Sequence, residues 1–422
     1  VKNLLRDNTK TCRNSGPVWH EKSRTTHPSV LKSVVRFANC FACLGNPHRD
    51  PSKKNIRRSR HEAICMTEQN TLYIHVGMPK TGTTAIQRVL ANNRKQLKAL
   101  GYIYPGTREH HWPLVEGIRE KKRMLTNGCV RDTLVEVRDW DGDAILSCEG
   151  FGECFHEGDS AARSVNIPQN ISEALNFFEV PHRIVMIMYV RRQDIWLDSG
   201  YRQRVKDGLT DTFDEYFDNC RAENFALVDY LQKADAWGQC FGDENVIVRP
   251  YDPAAWLENS LHADLLGLLG LSAQQRECID MRLGPTNPSL STDAISAFML
   301  IGKFLGKTDL VPGDPIFKNS FCYEGNSGDF ISPAQRTEVL DALSDSNETL
   351  ARKYLELAAP KELFPPLVCA DDWTAPALSK EDARSLIELI IAAMPHHYFI
   401  YKYRMFVRLG SSMYCSNVPL LE

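Results

Sequence analysis

The chain changes character at Leu72-Tyr73-Ile74-His75-Val76-Gly77-Met78-Pro79-Lys80-Thr81-Gly82-Thr83-Thr84. The short apolar run Leu72–Val76, closed by a glycine, predicts a buried strand. From Ala85 the apolar residues Ile86, Val89, Leu90, Leu97 and Leu100 recur at helical spacing, which predicts a helix over 85–100. The turn between them carries two glycines. Such a strand-to-helix turn aims backbone N–H groups and the positive end of a helix dipole at an anion. The spacing Gly77-x4-Gly82 is that of a P-loop, but a nucleotide triphosphatase needs Lys directly after the second glycine, and here that residue is Thr83. The lysine stands inside the loop instead, at Lys80. That departure argues against ATP or GTP hydrolysis, whose lysine has to reach the β- and γ-phosphates.

Outward from this turn, strands are predicted at Ala144-Ile145-Leu146, over 184–190 and at Val246-Ile247-Val248, with helical patterns over 172–178, 194–205 and 226–237 between them. Strands alternating with helices imply right-handed crossovers and a mainly parallel sheet. The fold class is therefore α/β: a P-loop-type three-layer domain with a mainly parallel central sheet. Beyond about residue 255 the pattern turns helical, over 256–269, 292–305, 333–357 and 381–394, which predicts a helical C-terminal portion.

The 422 residues are 43% hydrophobic and 24% charged with a net charge of −3, ordinary globular composition. No apolar run approaches the roughly 18–20 residues that span a bilayer. The thirteen cysteines are scattered and odd in number, which reads as buried thiols in a reducing compartment and predicts a cytoplasmic location. Charge is uneven: residues 1–65 carry 14 Lys or Arg against 4 Asp or Glu, with no sustained helical or strand period. The organisation expected is a basic, disordered extension over 1–65, an α/β domain over 66–365 and a helical segment over 366–422. Met66, just before the first strand, is an alternative start. Within the extension, Cys40-x2-Cys43 and His61-x3-Cys65 have the spacing of zinc ligands. The surrounding residues lack the aromatic and aliphatic side chains that fill a small zinc module, so no metal is expected, and no nucleic-acid partner with it.

The string Pro79-Lys80-Thr81-Gly82-Thr83-Thr84 after a strand resembles the phosphosulfate-binding loop of sulfotransferases, enzymes that use 3'-phosphoadenosine 5'-phosphosulfate (PAPS). The resemblance implies that Lys80 contacts the phosphosulfate and that Pro79, Thr81, Gly82, Thr83 and Thr84 cradle it at the helix N-terminus. A second feature stands apart from the first. After the strand ending Met188-Tyr189-Val190 come Arg191 and, eight residues on, Ser199. A guanidinium at a strand end and a hydroxyl two helical turns later can converge on one phosphate. The family's 3'-phosphate motif has Arg and Ser at this spacing, and Arg192 is the alternative register. The resemblance is closest to bacterial-type sulfotransferase-like proteins and runs from about Leu72 to about Phe364. It takes in Ser147-Cys148-Glu149-Gly150-Phe151, Val246-Ile247-Val248-Arg249-Pro250-Tyr251, Asn287-Pro288-Ser289-Leu290-Ser291 and the helix around Asn347, Leu350, Ala351 and Tyr354.

What the resemblance implies is sulfuryl transfer from PAPS, as co-substrate, to a hydroxyl or amine on a small-molecule or glycan acceptor. In-line displacement at sulfur needs a cation near the bridging oxygen, for which Lys80 is the candidate, and a base for the acceptor. Two candidates stand for the base. Glu149 follows the strand 144–147, and in parallel sheets the strand ends form the ligand crevice. His111 lies beside His110 in an expected loop, Arg108–Pro113. Glu149 is favoured. The rival readings are a P-loop kinase using ATP and a non-catalytic nucleotide-binding protein. Acceptor specificity is expected in loops, such as 101–143 and 312–332.

Overall fold

The computed structural model describes residues 69–119, 124–152, 166–282, 290–305, 328–355, 363–367 and 373–376. All of them fall in one of the chain's two units, Cys65–Glu422. The basic extension over 1–65 with its Cys/His spacing, the segment 312–327 and the helix expected over 381–394 lie outside the described residues.

Among the described residues five strands form one sheet in which every pairing is parallel: β1 (Thr71–Val76), β2 (Tyr102–Ile103), β3 (Asp143–Cys148), β4 (Arg183–Val190) and β5 (Val246–Pro250), in the order β2-β3-β1-β4-β5. Alternation along the strands explains the layers. Leu72, Ile74 and Val76 of β1, with Leu146, Met186 and Met188, face one side. There they meet α3 (Trp112–Arg119), α4 (Gly128–Arg138), α5 (Ile167–Phe177) and α8 (Tyr230–Phe241) through Leu114, Leu134, Ile171 and Trp237. Ile145, Val185, Ile187 and Tyr189 face the other side, against α1 (Thr83–Asn92) and α9 (Leu261–Leu268) through Ile86, Leu90, Leu265 and Leu266. This is the three-layer arrangement the alternation predicted. Each fully buried aliphatic side chain of β1, Leu72, Ile74 and Val76, contributes about 1.5–3 kcal/mol to holding the central strand on the first of these faces.

A separate apolar cluster joins α6 (Gln193–Lys206) and α7 (Phe213–Ala222) to the helical C-terminal portion, α11 (Thr292–Leu305) and α12 (Pro333–Ala342), through Leu197, Phe217, Phe298 and Val339. Short α2 (Arg94–Ala99) and α10 (Ala273–Arg276) and the longer α13 (Ser344–Tyr354) complete the described helices.

Several boundaries differ from expectation for identifiable reasons. The helix expected over 85–100 is two helices. At the break the Asn93 side chain donates to the carbonyls of Val89 and Asp280, both at 2.8 Å, and accepts from the Asp280 N–H at 2.8 Å. A side chain that bonds backbone in this way competes with helix continuation. The helix expected from residue 256 begins at Leu261, where the Ser260 hydroxyl accepts from the Ala263 N–H. The 333–357 pattern divides at Leu343 into α12 and α13. Much of the 101–143 segment, read as loop, is regular: it supplies β2, α3 and α4.

One buried ion cluster ties the C-terminal helices to the start of α6. Asp194, fully buried, takes Arg192 at 2.7 Å and Arg336 at 2.6 Å. Burial alone would raise this carboxyl, but the two guanidinium groups hold it below the ordinary carboxylate value. Asp194→Ala is expected to destabilise the protein by about 3–5 kcal/mol, because it leaves the largely buried Arg192 without a carboxylate partner and Arg336 with only the half-exposed Asp329. Denaturant titration measures this, and an unchanged midpoint contradicts it. The stabilisation is present above the ordinary carboxylate pKa and is lost as pH falls through the depressed value.

Candidate active site

The turn after β1 is built from its own hydroxyls. The Gly77 N–H donates to Cys148 O at 3.0 Å, carrying the β1–β3 pairing one residue further. A Cβ on Gly77 would stand 2.5 Å from Thr83 Cγ2, so the turn closes only around glycine. The Met78 carbonyl then accepts from Thr81 Oγ1 at 2.6 Å and from Thr83 Oγ1 at 3.2 Å. Both threonines are buried. Their hydroxyls thus hold the loop; what the loop offers a ligand is its backbone, Lys80 and the exposed Thr84.

Gly82 begins α1 at φ 74°, with no side chain capping the first turn. A Cβ there would lie 2.5 Å from Leu261 Cδ2. Lys80 also sits in the left-handed region, at φ 65°. For a non-glycine residue that conformation costs on the order of 1 kcal/mol, and neighbours must enforce it. Three of them do. Trp196 Nε1 of α6 donates to Pro79 O at 2.6 Å. Arg191, at the end of β4, donates through Nη1 to Lys80 O at 3.2 Å. The Tyr230 hydroxyl fixes Arg191 in turn, donating to its carbonyl at 2.7 Å.

Above this loop lies a pocket of about 470 Å³ at the carboxyl ends of β1 and β3. Lys80, Thr84, Glu149, Trp196, Arg204 and Lys233 are among its walls. Glu149, half-buried, opens a single helical turn directly after β3. Burial lowers the Lys80 pKa; among charged neighbours Glu149 acts most strongly, opposing that fall, while Arg191 adds to it. The Lys80–Glu149 juxtaposition expected from the two strand ends is therefore present. Further along α6, Lys206 is pulled down to about 8 by burial and then by the Lys80 charge.

Other expected site residues are placed differently. Arg191 reaches the loop backbone rather than the pocket walls, and its guanidinium lies 5.8 Å from the Tyr251 ring centroid. Arg192 is committed elsewhere, to Asp194 and to the carbonyls of Pro365 and Pro366 at 3.0 Å each. Of the two registers, only Arg191 touches the loop among the described residues. Ser199 is half-buried on α6 and is not among the described residues that line the pocket.

His111 is not brought to the pocket. It is buried just before α3, where Nδ1 accepts from the Ser147 N–H at 3.0 Å and Nε2 donates to Pro105 O at 3.1 Å. Desolvation lowers its pKa to about 4, which keeps the ring neutral. Its role in the fold is to latch the segment before α3 onto β3.

The residues missed by sequence reading come from α6 and α8. Trp196, Gly200, Gln203, Arg204 and Asp207 follow helical spacing along one flank of the pocket. Lys233 is fully buried and donates to Gly152 O at 3.1 Å. Nothing in its local sequence separates it from a solvated lysine on an amphipathic helix. Among the described residues no group of three His, Cys, Asp or Glu is arranged to hold a metal ion, and no helix is long and apolar enough to cross a membrane.

No family model matches the chain. Among curated proteins it is similar to an uncharacterized protein of Archaeoglobus fulgidus, 28% identical over 195 residues, covering 44% of this chain and 50% of the relative. The chain thus spans about half the length of the curated relative it matches. Among solved structures it is similar to a sulfotransferase from Alicyclobacillus acidocaldarius, with a TM-score of 0.32 and 16% identity over 55% of this chain and 91% of that one.

Proposed function

We propose that the protein transfers a sulfuryl group from PAPS to a hydroxyl or amine acceptor. The observation that carries this reading is Lys80 and Glu149 in one pocket above an uncapped helix N-terminus, with Thr83 where a phosphate-cleaving P-loop has its lysine. In the reaction the bond from sulfur to the bridging oxygen of PAPS breaks, and the acceptor oxygen or nitrogen bonds to sulfur. The acceptor proton passes to Glu149. The leaving 3',5'-adenosine bisphosphate gains negative charge at the bridging oxygen, which Lys80 meets. The first N–H groups of α1 support the oxygens around sulfur and the 5'-phosphate. Lys233 and Arg204 add positive charge to the same walls. Catalysis of this kind is positioning and charge stabilisation.

Arg191 and Ser199 are assigned to the 3'-phosphate. A guanidinium has five N–H donors, so the single bond to Lys80 O does not exhaust Arg191. A charge-assisted contact is worth about 1.5–3 kcal/mol, hence roughly tenfold or more in affinity. Arg191→Ala is expected to weaken 3',5'-adenosine bisphosphate binding by that factor, and Ser199→Ala by less. Adenosine 5'-phosphosulfate, which lacks the 3'-phosphate, should bind both variants nearly as it binds the unaltered protein. Equal weakening of both ligands would mean that Arg191 acts only by holding the loop.

A further inference from the structure

Beside the Lys80 pocket runs a groove of about 320 Å³, and the two share Thr84 and Glu149 among their described walls. Their charge differs. Lys80, Arg204 and Lys233 line the first, whereas the described residues lining the second include no Lys or Arg and add Glu109 to Glu149. Arg88 approaches Glu109 at 3.6 Å, but both side chains are well exposed, at 35% and 54%, so solvent screens the pair.

The groove's polar atoms suit hydroxyl groups. Gln87 is buried in its wall, and the amide nitrogen has no partner among the described residues. A buried donor left unmade is costly and marks a place for a ligand oxygen. His110, in the groove's wall, accepts from the Trp112 N–H through Nδ1 at 3.3 Å, so the other ring nitrogen, Nε2, is its N–H donor. Glu109 and Glu149 accept. Trp112 supplies an aromatic surface, with Arg119 stacked on its ring at 5.0 Å. Amide donor, imidazole donor, two carboxylates and an indole complement a ring that carries several hydroxyls. The same two carboxylates repel an anion.

We propose that this groove receives the acceptor, and that the acceptor is a polyhydroxylated ring without negative charge, either neutral or amine-bearing. The inference rests on the sulfotransfer reading, since it needs the acceptor group to meet Glu149 where groove and pocket join. The volume, near the lower end of the roughly 300–1,000 Å³ typical of small-molecule sites, fits one such ring and its substituent.

The p-nitrophenyl glycosides of glucose, glucosamine and glucuronic acid test it, because they keep the ring and change its charge. With PAPS as donor, kcat/KM is expected to be about tenfold or more higher for the glucoside and glucosaminide than for the glucuronide. Glu109→Lys, an exposed position, should narrow or reverse that order. Gln87→Asp, which replaces the buried donor by a carboxylate, should raise KM for the glucoside while leaving bisphosphate binding intact. A preference for the glucuronide overturns the inference, as does an order unchanged in Glu109→Lys. So does turnover of none of the three by a protein that still binds 3',5'-adenosine bisphosphate. Absence of bisphosphate binding in the unaltered protein is the separate failure of the sulfotransfer reading itself.

Discussion

Lys80→Gly is expected to lower kcat by about 10²–10³-fold at saturating PAPS, the cost of removing one preorganised group that stabilises transition-state charge. The fold should not suffer. Lys80 holds φ 65°, which glycine adopts without strain, and its carbonyl contact with Arg191 is made by the backbone. The variant should therefore melt no lower than the unaltered protein. This combination of an inactive enzyme and an undiminished melting temperature separates a chemical role from a structural one. Near-normal turnover at saturating donor contradicts the role given to Lys80, and a collapse of the melting temperature contradicts its placement.

Glu149→Gln is expected to lower kcat by about 10²–10⁴-fold, the usual cost of losing a general base, with 3',5'-adenosine bisphosphate affinity nearly unchanged. The shape is preserved and only the proton acceptor goes. His111 provides the contrast. With both ring nitrogens spent on Ser147 and Pro105, His111→Ala should reduce stability while folded protein keeps its turnover number. The pH dependence has a definite sign. His111 and His75 are neutral in the fold, with pKa values lowered to about 4 and about 3 by burial. As pH falls below the ordinary histidine value, the unfolded chain takes up protons that the native chain cannot, so stability declines on the acid side. A turnover number that collapses in His111→Ala and survives in Glu149→Gln would move the base to His111.

The parts legible in the sequence are those with strong local patterns. The strand Leu72–Val76, the two-glycine turn and the alternation of strands with helices led directly to the parallel sheet, and the crevice rule led to Glu149. The helix α7 lies outside the expected helices although the sequence carries a signal for it: Thr212 and Glu215 form a reciprocal capping box. The break at Asn93 was not legible, because its cause is a tether to Asp280, far away in the chain. Thr81 and Thr83 differ from expectation for a local reason. As residue types they read as ligand contacts, yet their hydroxyls turn inward to Met78 O, a choice made by the local turn. Lys233 joins the pocket only because α8 packs against the sheet beside the loop that follows β3. His111 differs from expectation because of a long-range contact. The segment before α3 folds back onto β3, so a residue read as loop becomes buried.

Calorimetric titration of the full chain with 3',5'-adenosine bisphosphate and, separately, with ATP–Mg²⁺ tests the central claim most directly. A loop with Lys80 inside it and Thr83 after the second glycine, flanked by Arg191, should bind the bisphosphate and leave ATP–Mg²⁺ weak or unbound. Saturable binding of ATP–Mg²⁺ without binding of the bisphosphate would contradict the account and return the site to phosphoryl chemistry.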